Sequence, residues 1–519
     1  MTRRRAWSAV AFSVATALSR GLGLVREIIV RRYFGVEGSI NAFTVAFQVP
    51  NLVRALVADM ALGAAFVPVF SELLEKGDRA RAWRVASTVV WLTLLGLGAL
   101  TALFILLAPW VMRPFGLGED EDLAVALSRL LFPIVVLLGL SGIVVGILNT
   151  YEEFAIPALT PVLWNLAIIA ALVFGVPRVE GEEASLYVYA AGVLAGTVVQ
   201  LLFPLPWLRG RDGRLRVALD VRDPAIRRVF ALMLPVTLGI GLINFNLVIN
   251  TFFAARFIDP QLAPAAIDAA FRIYMLPQGI FSVAVATVLF PALARLAARA
   301  DVAGFRDTVA LGLGQIGFLL IPASAVSAVL AEPIVRLLYE RGAFGPAETR
   351  VVAGALAAFA LGLTFNGTML MLNRAFFSLQ SPWVPTAIAL GNLALNVVLN
   401  AALYRVGVWG IPLATSLVNI AGTAALLVVL RRRLGRLEGR AILSSYVRIV
   451  VASAAAALVA FAAWYALDDV LGRSLGAQAL SVVGAIAAAV GVFVAVARIL
   501  RVRELDAVLS LVRRSRGTE

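Results

Sequence analysis

Three arginines inside long apolar runs are the residues of this sequence with the clearest chemical potential. Arg20 lies within the run 7–34, Arg54 within 41–72 and Arg272 within 263–297. A charged side chain at the centre of a bilayer costs about 2.5–3.5 kcal/mol on insertion scales, so it normally faces a bundle interior or a wet cavity. Because a guanidinium group can bind two phosphate oxygens at once, a cavity lined by these arginines favours a phosphate-bearing ligand.

Two other interpretations of the same arginines stay open. The long side chains could reach back to the membrane interface, although Arg20 and Arg54 lie well over two helical turns from either end of their runs. They could instead form structural pairs, Arg272 with Asp268 and Arg54 with Asp59. The spacing of four residues suits the first pair, whereas the spacing of five fits one helix face poorly.

The composition predicts an all-α polytopic membrane protein. Of 519 residues, 61% are hydrophobic and 15% are charged, whereas soluble proteins average about 45–50% apolar and about 25% charged residues. The chain has no histidine and no cysteine, which excludes a histidine-based triad, disulfides and thiolate metal sites. No catalytic constellation is visible, so we expect a transporter and not an enzyme.

Apolar runs of membrane-spanning length predict about fourteen transmembrane helices. They cover 7–34, 41–72, 83–113, 123–149, 157–177, 186–208, 225–254, 263–297, 305–338, 347–377, 384–404, 407–431, 445–467 and 476–500. The first run carries arginines and lacks a small-residue cleavage site, so we predict a membrane helix there and not a signal peptide.

Charge asymmetry predicts that both termini are cytoplasmic. One set of connections is rich in arginine, as in 209–228 and 431–440, and the opposite set is partly acidic, as in 119–122 and 180–183. The formal charge of +14 then reflects topology and contact with anionic headgroups, and nucleic acid is not an expected partner.

A weak internal repeat predicts two parallel six-helix bundles followed by two further helices. Helices two and eight share an ordered pattern: Ala42-Phe43, Pro50 and Phe66-Val67-Pro68 in one, Ala270-Phe271, Pro277 and Phe290-Pro291 in the other. Helix eight comes six helices after helix two, so the halves would run parallel and be related by an axis along the membrane normal. The predicted domains are 1–222, 223–440 and 441–519.

The N-terminal motifs resemble those of a known transporter family. They are Ser19-Arg20-Gly21-Leu22-Gly23, Arg26-Glu27, Phe34-Gly35, Ala42-Phe43, Pro50-Asn51-Leu52 with Arg54, and Phe66-Val67-Pro68. Together with Leu338–Phe344 and Ala375–Gln380, they resemble the signature of the MurJ (MviN) lipid II flippases, a branch of the multidrug/oligosaccharidyl-lipid/polysaccharide exporter superfamily.

This resemblance implies that the chain exports lipid II, the undecaprenyl-pyrophosphate-linked disaccharide-pentapeptide, across a bacterial inner membrane by alternating access. The family's cavity arginines fall on Arg20, Arg26, Arg54 and Arg272, whose implied role is to hold the pyrophosphate. Neighbouring positions implied to complete the site are Glu27, Asn41, Asn51 and Asp59. The implied partners are lipid II and membrane lipids, and the protein would be a monomer associated with the cell-wall synthesis machinery.

Two positions depart from the family pattern. Asn41 stands where relatives often carry aspartate, and helix eleven reads Asn396-Val397-Val398-Leu399-Asn400 where some relatives bind sodium through a carboxylate. The remaining candidate cation ligands are polar and neutral: Asn246, Asn250, Asn396, Asn400 and Thr415. A hard cation prefers charged oxygen ligands, so we expect no cofactor, and membrane potential is an alternative to sodium coupling.

Other functions fit the sequence less well. A flippase for another polyprenyl-linked glycan, of the O-antigen or teichoic type, is the nearest alternative. An arginine-lined cavity would repel the cations of a drug antiporter, and the connections are too short for a glycosyltransferase domain. A purely structural scaffold leaves the three arginines within the membrane unexplained.

Overall fold

In the computed structural model of the chain, all regular secondary structure is helical in the residues that it describes, which are 3–57, 61–435 and 439–505. No strand occurs in these ranges. The α-helices are α1 (Arg3–Phe34), α2 (Ile40–Val57), α3 (Ala61–Glu75), α4 (Arg79–Met112), α5 (Glu121–Leu131), α6 (Pro133–Thr150), α7 (Ala155–Ala170), α8 (Glu182–Leu202), α9 (Pro224–Phe253), α10 (Ala263–Pro277), α11 (Val283–Ala298), α12 (Val302–Val329), α13 (Ala331–Tyr339), α14 (Pro346–Ala360), α15 (Leu363–Ser378), α16 (Trp383–Leu403), α17 (Gly410–Leu434), α18 (Gly439–Leu471) and α19 (Leu475–Ile499).

The predicted all-α membrane architecture is confirmed, and each predicted run coincides with one or two of these helices to within a few residues. In the described parts of the chain, ten helices are long and apolar enough to cross a membrane. The count rises to eleven if α14 and α15, which meet at a bend of 44°, form one span. Fourteen spans therefore stay a prediction.

The chain divides into two compact units, one ending at Ala265 and the other beginning at Ala266. In the first unit, α1 packs against α7, and α2 and α3 pack against α9. Its core includes Phe66, Phe70 and Trp83, all almost fully buried. The sequence-based boundaries at 222 and 440, and the internal repeat, stay predictions.

In the second unit, the last two helices pack against each other and against α12. Ala452, Ala456, Ala485 and Ala489 are buried at this junction beside Phe318. Because alanine lets helix backbones approach closely, the small residues of α18 and α19 serve tight packing.

A polar contact fastens the same helices to the rest of the second unit. Arg336 on α13 forms an ion pair with Asp468 on α18, and its guanidinium carbon lies 5.6 Å from the ring centre of Trp464. Both ends of the pair are mostly buried. The pair therefore fixes the C-terminal end of α18 against α13.

Candidate functional site

Arg20 is exposed on α1. The two glycines that follow it, Gly21 and Gly23, lie within an uninterrupted helix. Space beside Gly21 is open to about 4 Å around the position a Cβ would take. The α1 backbone thus presents Arg20 without the local unwinding that glycine permits.

Arg26 lies one and a half turns further along α1 and is buried, with 7% of its surface exposed. Its Nη1 donates a hydrogen bond of 3.1 Å to Oδ1 of Asn165, and its guanidinium lies 4.8 Å from the ring centre of Trp164. Its Nη2 is 3.9 Å from a carboxylate oxygen of Glu27. Neighbours from α7 therefore fix the direction in which this cation points.

Glu27 binds a second arginine more tightly than it binds the first. Arg31, one turn later, donates from Nε and Nη2 to the same Glu27 oxygen at 3.0 and 2.8 Å. Glu27 is 3% exposed and Arg31 is 2% exposed. We call Arg26, Glu27 and Arg31 the α1 triad. Removing one member of such a buried set typically costs about 3–5 kcal/mol, because the remaining charge stays buried without compensation.

Arg31 also stabilises the end of its helix. Its Nη1 donates to the carbonyl of Gly35 at 3.3 Å, and the amide of Gly35 donates to the Arg31 carbonyl at 2.9 Å. Gly35 adopts a φ of 62°, a left-handed conformation that favours glycine and ends the helix.

Arg54 on α2 is half-buried and bound to a neutral neighbour. Its Nε and Nη2 both donate to Oδ1 of Asn51, at 3.0 and 2.8 Å. Asn51 precedes it by three residues, so the two side chains share one face of the helix. The predicted pair with Asp59, and the predicted role of Asp59 in the site, concern a residue outside the described ranges.

Arg272 on α10 forms the pair that its sequence spacing predicts. Its Nε and Nη2 donate to the two carboxylate oxygens of Asp268 at 3.2 and 3.3 Å. The Arg272 side chain nevertheless keeps 39% of its surface exposed. The pair lies on a partly exposed helix face, and part of the Arg272 side chain stays accessible.

Asn41 is fully buried and bound on every side by backbone. Its Nδ2 donates to the carbonyls of Val36, Gly38 and Gln261 at 3.0, 3.0 and 2.5 Å, and its Oδ1 accepts from the amide of Ala265 at 2.8 Å. This asparagine joins the turn between α1 and α2 to the connection that follows α9. An aspartate could not donate to these carbonyls, which gives a physical reason for asparagine here.

The candidate cation ligands are amides and a hydroxyl with contacts inside their own helices. In the first unit, Asn250 donates to Asn246 at 3.1 Å. In the second unit, Asn400 donates to Asn396 at 3.0 Å, and the Thr415 hydroxyl donates to the Ile411 carbonyl. The described residues contain no group of three acidic side chains that could hold a metal ion. A hard cation prefers charged oxygen ligands, and a cation site at these neutral side chains stays a prediction.

The sequence interpretation missed three residues of this region: Arg31, Trp164 and Asn165. The spacing of four residues between Glu27 and Arg31 is a local signal that could have identified the first of them. Asn165 also donates to the Pro161 carbonyl at 2.9 Å within its own helix. No local pattern relates Trp164 and Asn165 to α1, because α7 lies far along the chain.

Comparison with known proteins identifies the family. The sequence profile of the family described as "Lipid II flippase MurJ" matches residues 30–472. The chain is 33% identical to the lipid II flippase MurJ of Burkholderia cenocepacia over 399 residues, which are 74% of this chain and 75% of that protein. It is 31% identical to the probable lipid II flippase MurJ of Rhizobium meliloti over 514 residues, covering 96% and 94% of the two chains.

Solved structures show the same fold. "Lipid II flippase MurJ, inward closed conformation" aligns with a TM-score of 0.77 at 24% identity, over 95% of this chain and 99% of that one. An inward-facing MATE family transporter of the MOP superfamily aligns with a TM-score of 0.69 at 16% identity, over 83% and 99%. The arginine-bearing helices thus sit on the scaffold of a multi-pass membrane transporter, and the chain belongs to the lipid II flippase MurJ family.

Proposed function

We propose that this chain moves lipid II from the cytoplasmic to the outer leaflet of a bacterial inner membrane. Membership of the MurJ family supports the substrate, because the relatives carry that activity in their names. The observation that carries the proposal is the accessibility of arginines on three apolar helices, α1, α2 and α10. The hydrocarbon core of the bilayer, which offers no hydrogen bonds to a guanidinium, gives no reason to keep three such residues there.

The proposed binding step is an exchange of partners at these arginines. The contacts of Arg54 and Arg272 include hydrogen bonds to Asn51 and Asp268 at 2.8–3.3 Å. A pyrophosphate carries more charge than an amide or a single carboxylate and offers several oxygens to a guanidinium, so it competes well for these donors. Arg20 would supply a further accessible cation. Arg26 and Glu27 act by supporting α1, and not by direct contact, in this conformation.

The remaining parts of the proposal concern topology and energy. Both termini face the cytoplasm, as the arginine-rich connections predict, and the protein works as a monomer in contact with the cell-wall synthesis machinery. Transport proceeds by alternating access, driven by the membrane potential. The lipid tail lies outside the bundle while the charged head group binds the arginines.

Complementation tests the substrate directly. The gene would be expressed in bacteria depleted of their own lipid II flippase, and lipid II reaching the outer leaflet would be quantified, with Arg272→Ala as the matched variant. We expect the wild-type chain to restore translocation and the variant to fail at equal membrane abundance. Failure of the wild-type chain despite confirmed membrane insertion would contradict the proposal.

A further inference from the structure

The connection between α8 and α9 is bound along the side of α4. We call residues 212–223 the strap. Asp212 accepts a hydrogen bond of 2.8 Å from Arg79 at the start of α4. At the other end of the strap, Asp223 accepts bonds of 2.9 and 2.8 Å from Arg81. These bonds hold the pKa of Asp223 below its ordinary value, so this anchor stays ionised at neutral pH.

Between its two ends, the strap is held by its backbone. The amide of Arg216 donates to the Ser87 hydroxyl at 3.0 Å, and the amide of Asp220 donates to the Thr88 hydroxyl at 3.2 Å. The indole of Trp91 donates to the Arg216 carbonyl at 3.1 Å. Because the backbone makes these contacts, the side chains are free to point elsewhere.

The outward side chains combine apolar and basic groups. Val217, Leu219 and Val221 are 80%, 52% and 54% exposed, although each is a residue that normally avoids water. The exposed residues on either side of this apolar stretch are basic, Arg214 and Arg216 before it and Arg222 after it, and the residues within it, Ala218 and Asp220, are half-buried. Apolar side chains flanked by arginines are typical of surfaces that contact a membrane interface.

Two tryptophans on α4 indicate the depth of the strap relative to the membrane. Trp110 lies nineteen residues after Trp91, a rise of about 28 Å along the helix at about 1.5 Å per residue, which matches a hydrocarbon core of about 30 Å. Tryptophan is enriched at both membrane interfaces, and Trp110 is 67% exposed. Trp91, bonded to the strap, therefore marks the opposite interface, which the predicted topology assigns to the cytoplasm.

We propose that the strap is a membrane-contact surface that binds anionic phospholipid headgroups of the cytoplasmic leaflet. Its valine and leucine side chains enter the interface, and its arginines pair with lipid phosphates. The strap would then anchor the cytoplasmic end of α4 at a fixed depth. This inference rests on charge and exposure at the strap and does not depend on which lipid-linked glycan the protein carries.

Depth measurement on the full chain tests the contact. The sequence has no cysteine, so Val217→Cys and Leu219→Cys each accept a single nitroxide label, and Lys76→Cys, an exposed site beside α3, is the control. Each would be placed in vesicles of phosphatidylcholine, alone or with an equal part of phosphatidylglycerol, without polyprenyl lipid. We expect phosphatidylglycerol to lower the accessibility of the strap labels to a water-soluble nickel chelate and to raise their accessibility to oxygen, which concentrates in the membrane. The accessibility of the control label should not change. The proposal would be overturned if the strap labels were as accessible to the nickel chelate as the control label, or if phosphatidylglycerol did not change their accessibility.

A variant with fewer positive charges tests whether the strap arginines, and not other basic residues predicted on the cytoplasmic side, bind the anionic lipid. Arg214→Gln, Arg216→Gln and Arg222→Gln would be combined in the Val217→Cys background, with Arg431→Gln, Arg432→Gln and Arg433→Gln as a matched loss of three charges elsewhere. Arg216 anchors the strap through its backbone, so glutamine leaves that anchor intact. We expect the first set to abolish the shift caused by phosphatidylglycerol and the second to preserve it. Survival of the shift in the first set would contradict the proposal.

Discussion

The arginines of the α1 triad differ in burial from Arg54 and Arg272, although all four lie on apolar helices. Arg26 and Arg31 are buried beside Glu27, with exposures of 7% and 2%, and Arg26 is also held by Asn165. Arg272, in contrast, keeps 39% of its side chain exposed beside Asp268. A buried arginine with fixed partners stabilises the fold, whereas an accessible one on a weak partner can exchange that partner for a ligand. An arginine within a membrane helix is therefore not a substrate contact by its type alone.

The largest effect on transport is expected from the accessible arginines. Arg54→Ala and Arg272→Ala should each lower lipid II translocation about tenfold to a hundredfold, because a charge-assisted hydrogen bond contributes about 1.5–3 kcal/mol. The protein should remain abundant in the membrane. Translocation in the depleted strain and immunoblotting of membranes measure the two quantities.

Lysine at either position tests whether charge alone is sufficient, because lysine keeps the positive charge and loses the planar guanidinium that binds two oxygens at once. We expect Arg272→Lys to retain partial transport. Wild-type transport in both alanine variants would remove the accessible arginines from the binding site.

The largest effect on stability is expected from the α1 triad. Glu27→Gln leaves Arg26 and Arg31 buried without their counter-charge, which should cost about 3–5 kcal/mol of unfolding free energy. The variant should therefore show a lower melting temperature in detergent and reduced membrane abundance. Normal stability combined with lost transport would instead place Glu27 in contact with the substrate.

An intermediate effect on stability is expected at Asn165, the α7 residue that binds Arg26 of the α1 triad. Asn165→Ala removes the acceptor of a hydrogen bond from Arg26 at 3.1 Å and should lower stability by about 1–3 kcal/mol. Transport per folded molecule should change little, because Arg26 itself stays buried. Thermal unfolding and translocation normalised to membrane abundance test this, and a selective loss of transport would show that Asn165 positions a substrate-binding cation.

The smallest effect on stability is expected at the Asp268–Arg272 pair on α10. Asp268→Asn should change stability by less than about 0.5 kcal/mol, the size of an exposed pair with this spacing. It should also free Arg272 and tighten binding of lipid II, measured with purified protein. Weaker binding would mean that Asp268 orients Arg272 for the ligand and does not compete with it.

Contacts within one helix were the part of the site that the sequence could predict. The Asp268–Arg272 pair follows from a spacing of four residues, and the membrane fold follows from apolar runs of sufficient length. The burial of Arg26 could not be predicted in this way, because its partner Asn165 lies 139 residues further along the chain. The same holds for Asn41, whose buried amide binds the backbone of Gln261 and Ala265.

The sequence by itself determined the all-α membrane class and the family, and it named the arginines that we propose bind an anion. The tertiary structure decided which of them are accessible: Arg20, Arg54 and Arg272 are, and Arg26 is not. Helical periodicity places a residue on a face of its own helix. Only the packing of that helix against others determines whether the face meets a neighbour that buries the charge or a space that a ligand can enter.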